Sequence, residues 1–597
     1  MEGIALTSER NPMMRILGIH DGHTATACYF EGGTIKTTLS EERLTRVKGQ
    51  GGFPSKSIEY LIDKGGISPK SLDKIALVGV IKPLVSIDQY KDGRQQYFPH
   101  IAKLFPGNPR FLIRTFVTLA SKARLREPSL ISHLRRAGLE VDKVEIVEHH
   151  QAHAATAYYL SPFHTQGVKT LVITLDGSGD GLSGTVSIVD ERGAWQRVRE
   201  ISTFDSLGTV YSRVTQYLGM KPWEHEYKLM GMAPYVSGDH GLKAKKVMEH
   251  YIRLGPDGLG FRNSTRLWGN SLLKRMEKDL RGFRFDAVSA GVQMIHEELV
   301  VTLIRNWLRK TGIRQLAVAG GCFMNVKANK LLAELQECEQ LFVMPSCGDE
   351  SCAIGAAVWS YVGLAHQGHG AIQPLKDLYW GPQYSDGEVE DALKEFSDLI
   401  DFRKSQDVER DSARLLAEHK IIGRMSGRME WGARALGNRS ILANPSQLQN
   451  LRKLNAAIKM RDFWMPFAPS ILWERREDYA ILHRDTGSYY MTMAYDSTPK
   501  AREHLIAALH PYDFTMRPQF VKEDHNPKYY KLLTEFKALT GIGGVLNTSF
   551  NLHGWPIICS PQDAVRTLVN SGLDYVTINN YIIWKKSDLP VGLRSAP

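Results

Sequence analysis

Cysteine is scarce in this chain of 597 residues: six in all, Cys28, Cys322, Cys338, Cys347, Cys352 and Cys559, with no CxxC pair among them. That excludes a disulfide framework and a structural zinc site built on paired thiols. No apolar run approaches the roughly 20 residues that span a bilayer, so no membrane partner is expected. Residues 1–12 are polar and carry no apolar h-region, so no signal peptide is read there, and a reducing cytoplasm is the expected location. Long basic arms are missing too. Net charge is +11, but the cations are interleaved with acids. The denser stretches, Lys122 to Arg136 and Lys274 to Arg284, have helical spacing and read as solvated helix faces, so no nucleic-acid partner is expected.

What remains is the composition of a globular protein, 43% hydrophobic and 23% charged, long enough for two or three domains. The first half holds a repeat. Arg15 to His20 reads as a strand, Asp21-Gly22-His23 as a turn, and Thr24 to Phe30 as a second strand that passes through Glu31-Gly32-Gly33 into a third, Thr34 to Leu39. Thr170 to Leu175, Leu182 to Val189 and Trp195 to Ser202 repeat the pattern, with Asp176-Gly177-Ser178-Gly179-Asp180-Gly181 as the first turn. Two such units suggest a duplicated α/β domain with a cleft between its halves, lined by glycine turns where backbone approaches an anion and aspartates hold a metal. A further strand, Leu316 to Ala319, ends in Gly320-Gly321 and opens a helix over Asn325 to Gln336. That junction aims backbone N–H groups at a phosphate or nucleoside, or serves close helix–strand packing.

After a strand over Val144 to Val147 comes Glu148-His149-His150-Gln151-Ala152-His153. In a helix, His149 and His153 share one face at i, i+4 and can chelate a divalent metal, with Asp176 or Asp349 as the completing carboxylate. Past about residue 370 the character changes. Ile422 to Ser440 alternates glycine and arginine over what reads as strand, turn and short helix. Lys459, Arg461 and Arg517 follow, and then Gly543 to Asn551, a strand entering a turn of hydroxyls and amides. Four cations and a Ser/Thr turn in one domain favour an anionic substrate over scattered surface salt bridges.

On these residues the chain resembles the O-carbamoyltransferases of natural-product and nodulation-factor biosynthesis, the NodU/CmcH family. The carriers are Glu41-Glu42-Arg43, Glu148 to Ala154, Leu175-Asp176-Gly177, Lys228 to Tyr235, Gly427 to Ser440, Met465 to Pro469 and Leu546 to Asn551, and the resemblance runs from about Arg15 to Lys585. It implies an α/β protein: an actin/Hsp70-like (Kae1-type) duplicated domain over residues 13–370, which binds nucleotide and metal, followed by a YrdC-like α/β domain over residues 371–597. It also implies an enzyme. The second domain would make carbamoyl adenylate from carbamoyl phosphate and ATP with Mg2+, and the first would pass the carbamoyl group to a hydroxyl of a small-molecule natural product.

By position, the resemblance assigns His149, His153, Asp176 and Asp349 to a divalent metal, expected to be Fe(II). His23 becomes the general base, which suits an imidazole titrating near neutrality. Arg434 and Lys459 join it in catalysis, and Arg434, Arg439, Lys459, Arg517, Asn547, Ser549, Glu226 and Lys228 take carbamoyl phosphate and ATP. The sequence departs from the family at Ala433, usually proline, and at Met465, often arginine, and its spacing from His153 to Asp176 is longer. Two other readings share these folds: a threonylcarbamoyl-adenylate enzyme acting on tRNA, and a nucleotide-binding scaffold without catalysis. The first would need an extended basic face, and the second has no use for His23 and a cationic pocket. Lys82 to Gly138, aromatic and basic, matches none of the motifs. It reads as an acceptor entrance or as the contact of a homodimer.

Overall fold

The computed structural model describes residues 14–83, 122–364, 372–482, 484 and 487–586. The first sheet contains β1 (Arg15–His20), β2 (Thr26–Glu31), β3 (Thr34–Ser40), β4 (Lys74–Val78) and β5 (Val144–Val147), in the order β3-β2-β1-β4-β5. Strand β1 is nearly continuously apolar because both faces of a central strand are covered; five of its six residues are buried. The hairpin between β2 and β3 turns at Gly32 and Gly33, both at positive φ, as the sequence pattern requires.

The second sheet repeats the plan. It holds β6 (Thr170–Gly179), β7 (Leu182–Val189) and β8 (Trp195–Ser202); then, beyond a small separate hairpin, β9 (Ile252–Leu254) and β10 (Phe261–Asn263), come β11 (Gln315–Ala319) and β12 (Gln340–Val343). Read from its edge the order is β8-β7-β6-β11-β12, the order of the first sheet strand for strand. In each, the first three strands run antiparallel and the last two parallel to the first. This is the duplicated actin/Hsp70-like topology. One detail differs from the sequence reading: β6 continues through Asp176-Gly177-Ser178-Gly179, and the turn contracts to Asp180-Gly181, both at positive φ.

Two helices lie between the sheets. One, His149–Tyr159, starts where Glu148 accepts the backbone N–H groups of His150 and Gln151; the other is Cys352–Leu364. They approach backbone to backbone. A Cβ on Gly355 would lie 1.9 Å from the Ala152 carbonyl oxygen, and one on Gly18 in β1 would lie 1.9 Å from that of Ala353. The helix Phe285–Thr311 is long and apolar enough to cross a membrane, but it is mostly buried and packs as a core helix.

The second half builds one eight-stranded sheet from β13 (Ile400–Lys404), β14 (Ile422–Met425), β15 (Arg439–Ala443), β16 (Ala468–Leu472), β17 (Gln519–Val521), β18 (Gly544–Ser549), β19 (Tyr575–Ile578) and β20 (Tyr581–Lys585), in the order β13-β20-β19-β14-β15-β18-β16-β17. No helix follows β14, contrary to the sequence reading. Residues 426–438 form a loop wrapped around the buried Glu430, whose Oε1 accepts the N–H groups of Leu436, Asn438 and Arg439. A carboxylate that satisfies three backbone donors replaces the ladder a helix would have supplied.

The halves are locked together. Arg43 donates to the Gly432 carbonyl, Arg46 to those of Pro556 and Ile557, and Lys330 pairs with Asp496 at 2.5 Å. The basic stretch around Arg124 is not a solvated face throughout: Arg124 is buried and its guanidinium pairs with Asp21. Most of the 82–138 segment, residues 84–121, lies outside the described residues.

Candidate functional site

A cavity of about 2300 Å³ runs between the two halves. One end is acidic. The first two turns of the 149–159 helix carry His149 and His153 on one face; Asp176 arrives on β6, and Asp349 stands just before the 352–364 helix. One ligand atom from each of the four lies within 4.8 Å of the others. His149 Nε2 is 3.6 Å from Asp176 Oδ2 and 3.7 Å from Asp349 Oδ1, and His153 Nε2 is 3.8 Å from Asp349 Oδ1. These separations are too long for hydrogen bonds. His149 Nε2 and both ring nitrogens of His153 are buried with no hydrogen-bond partner among the described residues. Two imidazoles and two carboxylates with orphaned donor atoms fit a divalent ion ligated at about 2.0–2.2 Å. Burial disfavours a charge on His149, but Asp349 and Asp176 outweigh it and raise its pKa to about 10. The cluster therefore attracts positive charge.

His23 borders this end. Its ring lies 5.5 Å from that of Trp223, a residue at φ 70, and no hydrogen bond holds either ring nitrogen among the described residues. Burial lowers its pKa, which favours the neutral imidazole. Beneath it, His20 sits 3.1 Å from the His23 carbonyl and 3.9 Å from Asp349; burial brings its pKa down to about 4.

The other end is cationic. Arg434 comes from the 426–438 loop, Lys459 from a single π-helical turn, Asn455–Lys459, Arg461 from the next residues and Arg517 from the entry to β17. Lys459 Nζ donates to the Ser549 carbonyl at 2.5 Å and to Asn551 Oδ1 at 2.9 Å, both neutral oxygens. Ser549 Oγ donates to Asn551 Oδ1 at 2.6 Å. Arg434 and Arg517 make no ion pair or hydrogen bond among the described residues. Burial pushes the pKa of Arg434, Arg461 and Arg517 down, and for the last two the neighbouring guanidinia push it further. Because guanidinium does not give up its proton in proteins, such a cluster is relieved by an anion.

Between the ends, Lys228 pairs with Asp462 at 3.0 Å, and Glu226 accepts the Trp223 N–H at 2.7 Å. Ten of the expected residues thus line the cavity: His23, His149, Asp176, Glu226, Lys228, Asp349, Arg434, Lys459, Arg517 and Ser549. His153 lies just behind the wall. Arg439 and Asn547 are elsewhere. Arg439 is fully buried and gives its donors to the carbonyls of Ser426, Gly427, Asn438 and Pro382, while Asn547 donates to the Ala435 carbonyl and Ser470 Oγ. Both hold the loop that presents Arg434, and neither lines the cavity.

Sequence reasoning missed a link between the ends. Ser346 Oγ donates to Glu350 at 2.5 Å and accepts the Ala433 N–H at 2.9 Å, joining the loop of Asp349 to that of Arg434. Burial raises the Glu350 pKa to about 7. Adjacency to Asp349 was the one available signal.

Sequence models of a carbamoyltransferase N-terminus and C-terminus match residues 15–358 and 413–585. The protein is a transferase, and the chain belongs to the carbamoyltransferase family. It is 31% identical over 583 residues to nodulation protein NolNO of Sinorhizobium fredii, covering 96% of this chain and 80% of that one. Nodulation protein U of Rhizobium tropici is 26% identical, with 96% of each chain covered. Among solved structures, HypF in its phosphate- and nucleotide-bound form is 14% identical at a TM-score of 0.31, over 61% of this chain and 57% of that one.

Proposed function

We propose that at the cationic end water releases phosphate from carbamoyl phosphate, the resulting carbamate oxygen displaces pyrophosphate from ATP to give carbamoyl adenylate, and the acidic end passes the carbamoyl group to the hydroxyl of a small-molecule natural product. The observation that carries this reading is the continuity of the cavity from Lys459 and Arg517 to His149 and Asp349, so that a hydrolysable adenylate never has to enter bulk water. Arg434, Arg461 and Arg517 offset the charge that accumulates when two phosphorylated substrates, with their Mg2+, meet in a buried site. Lys459, tied to Ser549 and Asn551, adds its positive charge where β18 ends. His23, neutral and unencumbered, removes the acceptor proton as the oxygen attacks the carbamoyl carbon and AMP leaves with the bonding pair. His149, His153, Asp176 and Asp349 would hold a divalent ion, Fe(II) in this proposal, whose chemistry there is to draw charge from the carbamoyl or phosphate oxygens.

The test omits the acceptor. Protein incubated with ATP, carbamoyl phosphate and Mg2+ is expected to release pyrophosphate and accumulate carbamoyl-AMP, seen by mass spectrometry. Removal of Lys459 or Arg517 by alanine is expected to slow this about 10²- to 10³-fold, the usual loss for one preorganised charge donor. Folded wild-type protein that forms no adenylate would overturn the reading.

A further inference from the structure

The His149–His153 pair serves two ligand sets, not one. Beside the set completed by Asp176 and Asp349 there is a second, in which the ligand atoms of His149, His153 and Cys352 also lie within 4.8 Å of one another. Cys352 opens the 352–364 helix, three residues after Asp349, and is fully buried. Its Sγ is 4.0 Å from the His149 carbonyl. The two carboxylates line the cavity, whereas Cys352 and His153 do not, so the thiol lies on the core side of the histidines.

A buried thiol alone says little. The second observation is the state of the imidazoles. His153 is fully buried and, among the described residues, neither of its ring nitrogens has a hydrogen-bond partner; its Nε2 faces Asp349 across 3.8 Å. His149 is 3% exposed and its Nε2 is likewise unpartnered. Nitrogens left unsatisfied in a protein interior are costly, so their approach to within 4.8 Å of a third ligand atom is informative. Oxygen donors suit hard ions, and a thiolate with two imidazoles suits thiophilic ones.

We propose that the pair binds thiophilic divalent ions, Cd(II) or Zn(II), through His149, His153 and Cys352 on the core side, and oxygen-preferring ions through Asp176 and Asp349 on the cavity side. Binding in the thiol set forms one metal–sulfur bond and releases the thiol proton to solvent; nothing is oxidised or reduced. An ion held there occupies the histidines and takes them from Asp176 and Asp349, so Cd(II) or Zn(II) blocks the transfer step. The inference rests on the histidines being a metal-binding pair.

The test uses the full-length, metal-free protein and single metals. Cd(II) alone is expected to produce the ultraviolet sulfur-to-metal charge-transfer band. Cys352→Ala is expected to abolish that band and weaken Cd(II) binding about tenfold or more, while Cys322→Ala and Cys347→Ala leave both unchanged. Mn(II), followed by electron paramagnetic resonance, is expected to bind Cys352→Ala as it binds wild type and to lose about tenfold or more in Asp349→Asn. Cys352→Ser repeats the arm should the alanine variant lose its fold. No band in wild type, or a band that survives without Cys352, overturns the proposal. Mn(II) binding that is insensitive to His149→Ala would overturn the reading of the histidine pair itself, a separate failure.

Discussion

The two ends of the cavity are opposite in charge and alike in logic. At one, two carboxylates and two imidazoles converge; at the other, Arg434, Arg461, Arg517 and Lys459 gather, and Lys459 donates only to neutral oxygens. Each end is preorganised around the charge it lacks. Most buried ion clusters are internally balanced, because an unpaired buried charge is costly. Here the imbalance is placed where a ligand resolves it, and the comparison assigns a class of ligand to each end: a divalent cation to the first, a polyanion to the second.

The sharpest way to break the comparison is to separate the half-reactions. His23→Ala is expected to slow carbamoyl transfer to an acceptor about 10²- to 10⁴-fold, the usual contribution of a general base, while carbamoyl-AMP still forms at the wild-type rate. Equal loss of both steps, read by mass spectrometry of the adenylate and the product, would mean the ends do not divide the work.

A smaller effect probes the cationic end by pH. Burial, with Arg461 and Lys48 nearby, depresses the Lys459 pKa well below that of a free lysine. An anion favours the ammonium and raises that pKa, so binding takes up a proton. Affinity for sulfate, which does not itself titrate near neutrality, is therefore expected to fall as pH rises between the free and bound pKa values, by up to about tenfold per pH unit. Calorimetry in two buffers of different ionisation enthalpy reads the proton directly, and Lys459→Met should show neither the uptake nor the slope.

The smallest effect lies between the ends. The Lys228–Asp462 pair is partly exposed, so Asp462→Asn is expected to change unfolding stability by no more than about 1 kcal/mol, checked by denaturant titration. A larger loss would make the pair a strut rather than a contact along the substrate path.

How much of this was legible in the sequence depends on the element. The strand triplets were, because central strands are apolar throughout and their hairpins need glycine at positive φ; β1, β5, β7 and β8 have the expected limits. The histidine helix was legible from its i, i+4 spacing. The arginine loop was legible as a motif but not as roles: nothing in Gly427 to Ser440 distinguishes Arg434, which faces the cavity, from Arg439, which holds up the loop, because that choice is made by where Glu430 and the carbonyls of Pro382 and Ser426 come to lie. Ser346 and Arg124 acquire their contacts from residues about ninety and a hundred positions away in sequence. Chain-local patterns carry no trace of such partners.

The contact of Gly18 and Gly355 with neighbouring carbonyls also bears on how such a centre changes over time. The helix that follows Asp349 touches both β1 and the histidine helix with no side chain in between, and even one methyl group has no room. The spacing of the ligand-bearing backbones is therefore not a variable that drift can tune. A descendant lineage can alter which ion it prefers only by exchanging the ligating side chains themselves, a stepwise rather than a graded route.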